Sequence, residues 1–255
     1  MTEAPEPLDP GTVMERIGPA EIRAPIGQCM GAQVFEGVTV SDDPVMVWSW
    51  PSDQVGGAAI PRLLAIIEGL EANAPPCLAP VLHGSLTADQ AVLVFQRSDC
   101  PTLKDRASQE PLSPLKALAG CRELLQGIHD AKERGIRIVR WSPALIATPD
   151  DEQASWVMLA PGVHGLPSDS LPVPASLEEA AAIAPELATG EVTLESLGDE
   201  DLVPLEAYAL GATLFYALTG SLPLEAESAG AYRRMQTEEE TRDLSTMVES
   251  ASRYP

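Results

Sequence analysis

The chain has 255 residues, with 16 Lys and Arg against 38 Asp and Glu, so its formal net charge is −22. Such a charge repels phosphate backbones, which argues against direct nucleic-acid binding. A hydrophobic content of 45% is enough to form a core, and Pro, Gly or acidic residues interrupt the apolar stretches short of the roughly 20 residues that span a bilayer. We therefore expect a globular protein without a membrane segment. Its acidic N-terminus does not resemble a secretory signal, so we predict a cytoplasmic location.

The first half of the chain is predicted to form a small lobe rich in strands. We interpret residues 1–20 as a flexible acidic and Pro-rich tail, and residues 21–98 as this lobe. The predicted elements are, in order, a Gly-bearing turn leading into a strand within 24–37, a strand at 45–50, a helix at 61–73, and strands at 78–82 and 91–95.

Residues 99–255 are predicted to form a mainly helical second lobe. Ser113 suits an N-cap and Pro114 the first helical position, so a long helix is expected to follow. The residues that line one apolar face of this helix are Leu115, Leu118, Leu125 and Ile128. Short apolar runs at 136–139 and 156–159 favour a small hairpin. Residues 204–219 are apolar nearly all round and predict a helix buried on every side.

The cysteines and histidines are scattered rather than paired. The four cysteines are Cys29, Cys77, Cys100 and Cys121, and the chain has three histidines. Structural zinc sites usually take their ligands in close pairs from a turn, so we predict no metal site. Buried thiols in a reducing compartment fit this spacing better.

Charge is distributed unevenly along the chain. Between Arg140 and Arg233 there is no Lys or Arg, while the same stretch carries fifteen Asp and Glu. One interpretation is solubility, and the other is a docking face for a protein partner with a basic surface, because a field of one sign steers association. The dependence of binding on ionic strength would distinguish the two.

Several strings resemble the protein kinase family in order and spacing. Gly127-Ile128-His129 together with 135–143 is similar to the family's helix and catalytic loop. Ala184-Pro185-Glu186 is similar to the family's Ala-Pro-Glu, and 206–223 resembles the family's buried C-lobe helix. The resemblance covers about residues 24–224 and points to bacterial serine/threonine kinases. It implies an α+β, two-lobed protein-kinase-like fold, with a small β-rich N-lobe containing one helix and a mainly helical C-lobe. Only 35 residues follow Gly220, fewer than the terminal helices of this fold normally need, so we expect either an abbreviated C-lobe or a native chain that continues.

The phosphate-binding positions of the family are altered in this chain. Phosphoryl transfer in protein kinases uses a Gly-rich loop over the phosphates and a Lys on the third strand. The resemblance leaves Gly27 in place, but Cys29 and Ala32 fall where the second and third glycines belong. Trp48 stands where the lysine is expected, and Glu68 is the acid nearest to the usual salt-bridge position. Gly27 and Gly31 are therefore interpreted as turn glycines, the former a vestige of the loop.

The catalytic and metal-binding positions are altered too. Ile138-Val139-Arg140 stand for the family's His-Arg-Asp, and an arginine cannot accept a proton. Ser142 replaces the loop lysine and Leu145 the magnesium-binding asparagine. The family's Asp-Phe-Gly is represented by Ala160-Pro161-Gly162, which has no carboxylate. The chain therefore lacks the phosphate lysine, the catalytic base and both metal ligands.

The sequence also predicts roles for two tryptophans, two charged residues and one segment. Trp48 and Trp50 either close the former nucleotide cleft or are strand aromatics, one on each face of the sheet. Arg140 is expected to pair with an acid such as Glu206, and Asp105 is read as a solvated loop charge. The segment 163–183, where the family has its activation segment, contains no threonine.

We predict a pseudokinase that is not an enzyme, binds no cofactor and no metal, and acts as a scaffold or allosteric regulator through a protein partner. One alternative is an unconventional ATP-binding kinase relative with residual phosphoryl or nucleotidyl transfer. Another is a domain that binds nucleotide without metal as a structural ligand. The identity of the partner and the oligomeric state do not follow from the sequence.

Overall fold

The computed structural model describes residues 16–29, 31–51, 60–87, 90–150, 155–159, 162–163, 174, 176–188, 197–198 and 200–238. Side chains are described for these residues except 60–63, 139–140, 162–163 and 188. Two lobes are present, and one hydrophobic cluster runs through both, from Ala32 in the first lobe to Ala217 in the second.

The N-lobe is built on a six-stranded antiparallel sheet with the strand order β1-β2-β3-β4-β6-β5. The strands are β1 (Arg16–Ile17), β2 (Ala20–Cys29), β3 (Ala32–Thr39), β4 (Pro44–Pro51), β5 (Val81–Leu86) and β6 (Gln90–Gln96). Within 24–37 the predicted Gly-bearing turn contains Gly31 and leads into β3 as expected, but the residues before the turn also form a strand, β2. The φ angle of Gly31 is 76°, a left-handed conformation that glycine adopts readily. The sheet also includes Arg16 and Ala20, which the sequence analysis placed in the tail.

Strand β4 lies between β3 and β6, and it is buried on both faces because an apolar cluster packs on each face of the sheet. Met46, Trp48 and Trp50 face the cluster shared with the C-lobe. Val45 and Val47 face the opposite side and pack in a separate apolar cluster. This alternation follows from the two-residue period of a strand.

In the described part of the N-lobe the one helix is α1 (Ile60–Asn73), as predicted over 61–73. It packs on the shared cluster through Ile66, Ile67 and Leu70. A Cβ atom at Gly84 of β5 would collide with the side chain of Ile67, so glycine at this position lets α1 lie close to the edge of the sheet.

The C-lobe begins with α2 (Leu103–Gln109) and α3 (Pro114–Glu133). Thr102 Oγ1 accepts a hydrogen bond from the backbone N of Asp105 at 3.1 Å, and Asp105 Oδ2 accepts one from the backbone N of Thr102 at 3.3 Å. This capping box starts α2, so the interpretation of Asp105 as a loop charge was wrong. Helix α3 starts as predicted, with Ser113 Oγ accepting from the backbone N of Lys116 at 3.4 Å.

The buried face of α3 differs from the predicted one. Leu115, Leu118 and Leu125 are 76%, 54% and 46% exposed, and of the four predicted positions only Ile128 is buried. The buried side is instead formed mainly by small residues, namely Ala117, Gly120, Cys121, Leu124, Gly127, Ile128 and Ala131. Small residues allow neighbouring elements to approach closely. Helix α3 therefore buries the side that carries them and leaves three of the predicted leucine-face residues exposed.

Four short strands follow α3 in the part of the chain that the structure describes. They are β7 (Ile138–Arg140), β8 (Ile146–Ala147), β9 (Val157–Met158) and β10 (Gly162–Val163), with a 3-10 turn at Pro143–Leu145. Strand β8 pairs with β9, and β7 pairs with β10. The predicted hairpin exists with a different first arm: β9 lies within the predicted 156–159, but it pairs with β8 and not with 136–139, because the 3-10 turn separates β7 from β8.

The remaining helices are α4 (Leu177–Ala181), α5 (Pro185–Ala188), α6 (Leu202–Thr219) and α7 (Ala229–Glu238). Helix α6 confirms the predicted apolar helix, but Val203 is 53% exposed and Gly211 is also exposed, so burial on every side was wrong. Among the described residues α6 alone is long and apolar enough to cross a bilayer, a criterion that core helices of globular proteins also meet. Helix α7 is anchored by Tyr232, which is fully buried.

Candidate functional site in the cleft between the lobes

The position of the expected phosphate-binding lysine is occupied by a buried indole. Trp48 lies on β4 between Val34 of β3 and Leu93 of β6, and it is 1% exposed. Its ring stacks on that of Trp50, with the centroids 6.1 Å apart and the planes 29° from parallel. The two tryptophans share one face because they are two residues apart on a strand, so the interpretation of one on each face was wrong.

The environment of Trp48 is apolar. Ile66, Ile67 and Leu70 of α1 belong to the same cluster as Trp48, whereas Glu68 points to solvent. The Nε1 atom of Trp48 is buried and has no hydrogen-bond partner among the described residues. A phosphate group brought here would find neither an ammonium nor a guanidinium within this cluster, and it would lose its water.

The segment that the resemblance aligns with the glycine-rich loop is the hairpin formed by β2 and β3. Gly27 lies inside β2 at a register shift, with φ 149°, so it is a strand residue and not a turn glycine as expected. Ala32 is fully buried and belongs to the shared cluster, and Cys29 packs against that cluster. The hairpin is thus attached to the shared cluster through Ala32 and Cys29.

This hairpin reaches across the cleft to α4. Cys29 Sγ lies 4.0 Å from Glu179 Oε2, the length of a weak hydrogen bond donated by sulfur. Glu179 is 2% exposed, and its backbone N donates to Ser176 Oγ at 3.1 Å, which caps α4. Residues that are 150 positions apart therefore meet at the mouth of the cleft.

Helix α4 is also tied to α2 by an ion pair. Lys104 Nζ lies 2.5 Å from Glu178 Oε1. Burial by itself would raise the pKa of the Glu178 carboxyl, but hydrogen bonds from Lys104, from the backbone and from Ser176 outweigh burial and hold this pKa below its ordinary value. The same hydrogen bond, opposed by burial, raises the pKa of Lys104. Both acids of α4 are thus engaged, one by each lobe.

The residues that the resemblance aligns with the catalytic loop are used for packing and capping in this structure. Ile138 is fully buried in the shared cluster, which also includes Leu145. Ser142 is 2% exposed, and its Oγ accepts from the backbone N of Ala144 at 3.3 Å, which caps the 3-10 turn. The structure therefore brings Ile138 and Leu145 into the cluster of Trp48 and Ala32.

Trp141, which precedes Ser142 in the same segment, contacts α6. Trp141 is 1% exposed, and its Nε1 donates to Thr213 Oγ1 at 2.9 Å. Thr213 Oγ1 in turn donates to the carbonyl of Ala209 at 2.8 Å. This chain of hydrogen bonds fixes the loop on the central helix, and no sequence signal indicated it.

Some of the expected site residues are described only in part. The backbone of Arg140 in β7 pairs with that of Gly162 in β10. The side chains of Val139 and Arg140 lie outside the described part, so the pairing of Arg140 with Glu206 stays a prediction. Ala160 and Pro161 lie outside the described residues altogether. Within the residues that are described, no group of three or more His, Cys, Asp and Glu could hold a metal ion.

Comparison with known proteins identifies the fold. No protein-family model matches the sequence, and no curated protein matches it. Among many solved chains that do match, the crystal structure of Rad53 1–466 in complex with AMP-PNP has a TM-score of 0.63 at 16% sequence identity. The alignment covers 86% of this chain and 53% of that chain, so this chain spans about half the length of its neighbour. The likeness confirms the predicted two-lobed, protein-kinase-like fold.

Proposed function

We propose that this chain is a catalytically inactive protein-kinase-like domain, a pseudokinase, which acts as a scaffold or allosteric regulator through a protein partner. The observation that carries the proposal is Trp48, an indole that is 1% exposed where this fold presents a phosphate-binding lysine. An ammonium holds phosphates by charge and by three donors, whereas an indole offers one N–H, which in Trp48 is buried.

The catalytic-loop positions support the same proposal. Phosphoryl transfer needs a base for the hydroxyl and oxygen ligands for magnesium. Ile138 and Leu145 offer neither and lie in the apolar cluster, and the hydroxyl of Ser142 is used as a cap. Removing a general base alone costs about 10² to 10⁴ in rate, and here several groups are replaced together.

The contacts of α4 support a regulatory or scaffolding role. Glu179 contacts the N-lobe hairpin through Cys29, and Glu178 contacts α2 through Lys104. A lobe arrangement held by such contacts needs no nucleotide to close it. We propose a bacterial, cytoplasmic signalling context, which rests on the sequence resemblance and the acidic composition.

The test is nucleotide binding and phosphoryl transfer by the full chain. Thermal unfolding is followed with millimolar ATP and Mg²⁺, with ATP and Mn²⁺, and with ATP and EDTA, beside an active protein kinase as control. We expect no change in Tm and no transfer of labelled phosphate. The test is sensitive, because a ligand present at 100 times its Kd would stabilise the protein by about 2.7 kcal/mol. A metal-dependent rise in Tm together with phosphate transfer would contradict the proposal and favour the kinase relative, and a rise that survives EDTA would favour a structural nucleotide.

A further inference from the structure

A groove lies on the C-lobe between the segment 225–227 and α7. Its volume is about 460 Å³, and it is lined by Glu225, Ala226, Glu227, Ala231 and Met235. It is separate from the cleft between the lobes, and none of the kinase-like motifs of the sequence falls within it. Its floor is apolar and its rim is acidic.

The floor of the groove rests on a packed part of the lobe. Ala226 and Met235 pack against a small cluster formed by Ala180, Ala181, Leu224 and Tyr232. Helix α7 is held in place by Gln236, whose Nε2 donates to the carbonyl of Ile183 at 2.9 Å and to Tyr208 Oη at 2.8 Å. The groove is therefore preformed, and a ligand would not need to order it.

The rim carries negative charge. Glu225 and Glu227 are both exposed; Glu225 takes part in a polar or electrostatic interaction, whereas Glu227 makes no hydrogen bond or ion pair with any described residue. Both acids belong to the stretch between Arg140 and Arg233 that contains no Lys or Arg. Helix α7 carries Arg233 and the exposed Arg234 against the exposed Glu238, so residues 225–238 hold three acids and two arginines and stay net negative.

We propose that this groove docks a segment of a protein partner that carries Lys or Arg on either side of a large apolar side chain. The apolar side chain enters between Ala226 and Met235, and a cation meets Glu227. Methionine suits this role because its flexible thioether adapts to differently shaped apolar groups.

Charge selects this occupant over a second copy of the chain. Two molecules that each carry −22 repel each other, whereas the field of one such molecule attracts a basic segment and raises its rate of association. The inference rests on the proposed scaffold function and names the chemistry of the partner at a defined surface.

The test measures binding of a fluorescent synthetic peptide to the full chain by anisotropy. The peptide is an amphipathic helix of about four turns, made of Leu and Lys, and a second peptide has Glu in place of Lys. Glu227→Lys and Met235→Asp remove the charge and the apolar floor, while Met235→Leu retains the floor. The matched control is Glu68→Lys, an exposed acid on α1 that gives the same change in net charge.

We expect the Lys peptide to bind and the Glu peptide not to bind. Glu227→Lys and Met235→Asp each raise the Kd about tenfold, whereas Glu68→Lys and Met235→Leu change it by less than about threefold. Circular dichroism confirms that every variant is folded. A photo-reactive Leu analogue in the peptide is expected to crosslink to the segment 225–235.

Other outcomes overturn the inference. No binding at millimolar protein, equal weakening by Glu68→Lys and Glu227→Lys, or crosslinks outside 225–235 would each show that the groove is not the docking site. Loss of a dimer in Met235→Asp, measured by sedimentation, would assign the groove to a second copy. None of these measurements depends on nucleotide. Failure of the docking proposal is therefore distinct from failure of the proposed inactivity, which the ATP experiment decides.

Discussion

The ammonium of Lys104 and the carboxylate of Glu178 lie 2.5 Å apart and join α2 to α4. The side chain of Glu178 is 15% exposed and that of Lys104 is 44% exposed, so water screens the pair only in part. The adjacent residue, Glu179, contacts Cys29 at the tip of the N-lobe hairpin. A helix of five residues thus links elements of both lobes at the mouth of the cleft.

The first prediction concerns this ion pair and its dependence on pH. The folded state lowers the pKa of Glu178, so the pair stabilises the protein above the ordinary carboxyl pKa, and the stabilisation is lost as the pH falls through the folded-state value. The folded state raises the pKa of Lys104, so on the alkaline side the stabilisation is present below the ordinary lysine pKa and is lost as the pH rises through the folded-state value. We expect Glu178→Gln to reduce the free energy of unfolding at pH 7 and to have less effect in acid.

The measurement is a double-mutant cycle by urea denaturation with Lys104→Met and Glu178→Gln. We expect a coupling of about 0.5 to 1 kcal/mol at neutral pH. The control pair is Arg97 and Glu36, which are 2.7 Å apart but 43% and 39% exposed, and it should couple more weakly. A coupling that is unchanged in acid would contradict the assignment to the Glu178 carboxylate.

The second prediction concerns the indole of Trp48. Trp48→Ala should cost about 3 to 5 kcal/mol of folding free energy, because it leaves a cavity in the cluster shared by the lobes. Trp48→Lys should also destabilise the protein, since an ammonium would be buried without a partner, and it should not create ATP binding. Chemical denaturation and thermal shift with Mg·ATP measure the two effects.

A matched pair of substitutions separates packing from hydrogen bonding at these tryptophans. Trp48 and Trp141 are equally buried, but only Trp141 donates through Nε1, to Thr213. We expect Trp141→Phe to cost about 1 kcal/mol more than Trp48→Phe, because it removes a buried hydrogen bond. Equal losses would mean that the Trp141–Thr213 contact contributes no net stability.

The third prediction concerns the small residues on the buried face of α3. A Cβ atom at Gly120 would overlap the indole of Trp156, and one at Gly127 would overlap the side chain of Cys77. Gly120→Ala and Gly127→Ala should each lower stability by about 1 to 3 kcal/mol, since the neighbours must move. Gly211→Ala is the control, because nothing lies within 4 Å of its new methyl group on α6. We expect this variant to gain about 0.5 to 1 kcal/mol from helix propensity.

The fold was largely predictable because local signals agreed with long-range ones. The Ser113-Pro114 start of α3 and the apolar run of α6 are readable without tertiary information. The capping box of α2 is also readable from Thr102 and Asp105, which have the three-residue spacing of such a box, although Asp105 was expected in a loop. The buried face of α3 was not predictable, because the leucines mark an apolar stripe while Gly120 and Gly127 decide how close the neighbours can come.

The sequence resemblance grouped residues that the structure also brings together, but it did not indicate their contacts. Aligned strings placed Trp48, Ile138 and Leu145 at catalytic positions, and all three lie in one cluster. The bridge from Cys29 to Glu179 spans 150 positions and depends on how the lobes are oriented, so nothing in the local sequence indicates it. The stacking of Trp48 on Trp50 follows from strand geometry, because residues two apart on a strand share a face, so the expectation of one ring on each face was wrong.

The last prediction concerns the reactivity of the four cysteines. Burial raises the pKa of Cys77 to about 12 and that of Cys121 to about 12, so neither forms appreciable thiolate at pH 8. Cys29 and Cys100 are partly exposed, and we expect these two to react with a disulfide reagent in the native protein. All four should react in denaturant, and Cys29→Ser and Cys100→Ser should each remove one reactive thiol from the native count. Mass spectrometry of the labelled peptides identifies the sites, and rapid native labelling of Cys77 or Cys121 would contradict the packing of α3 against its neighbours.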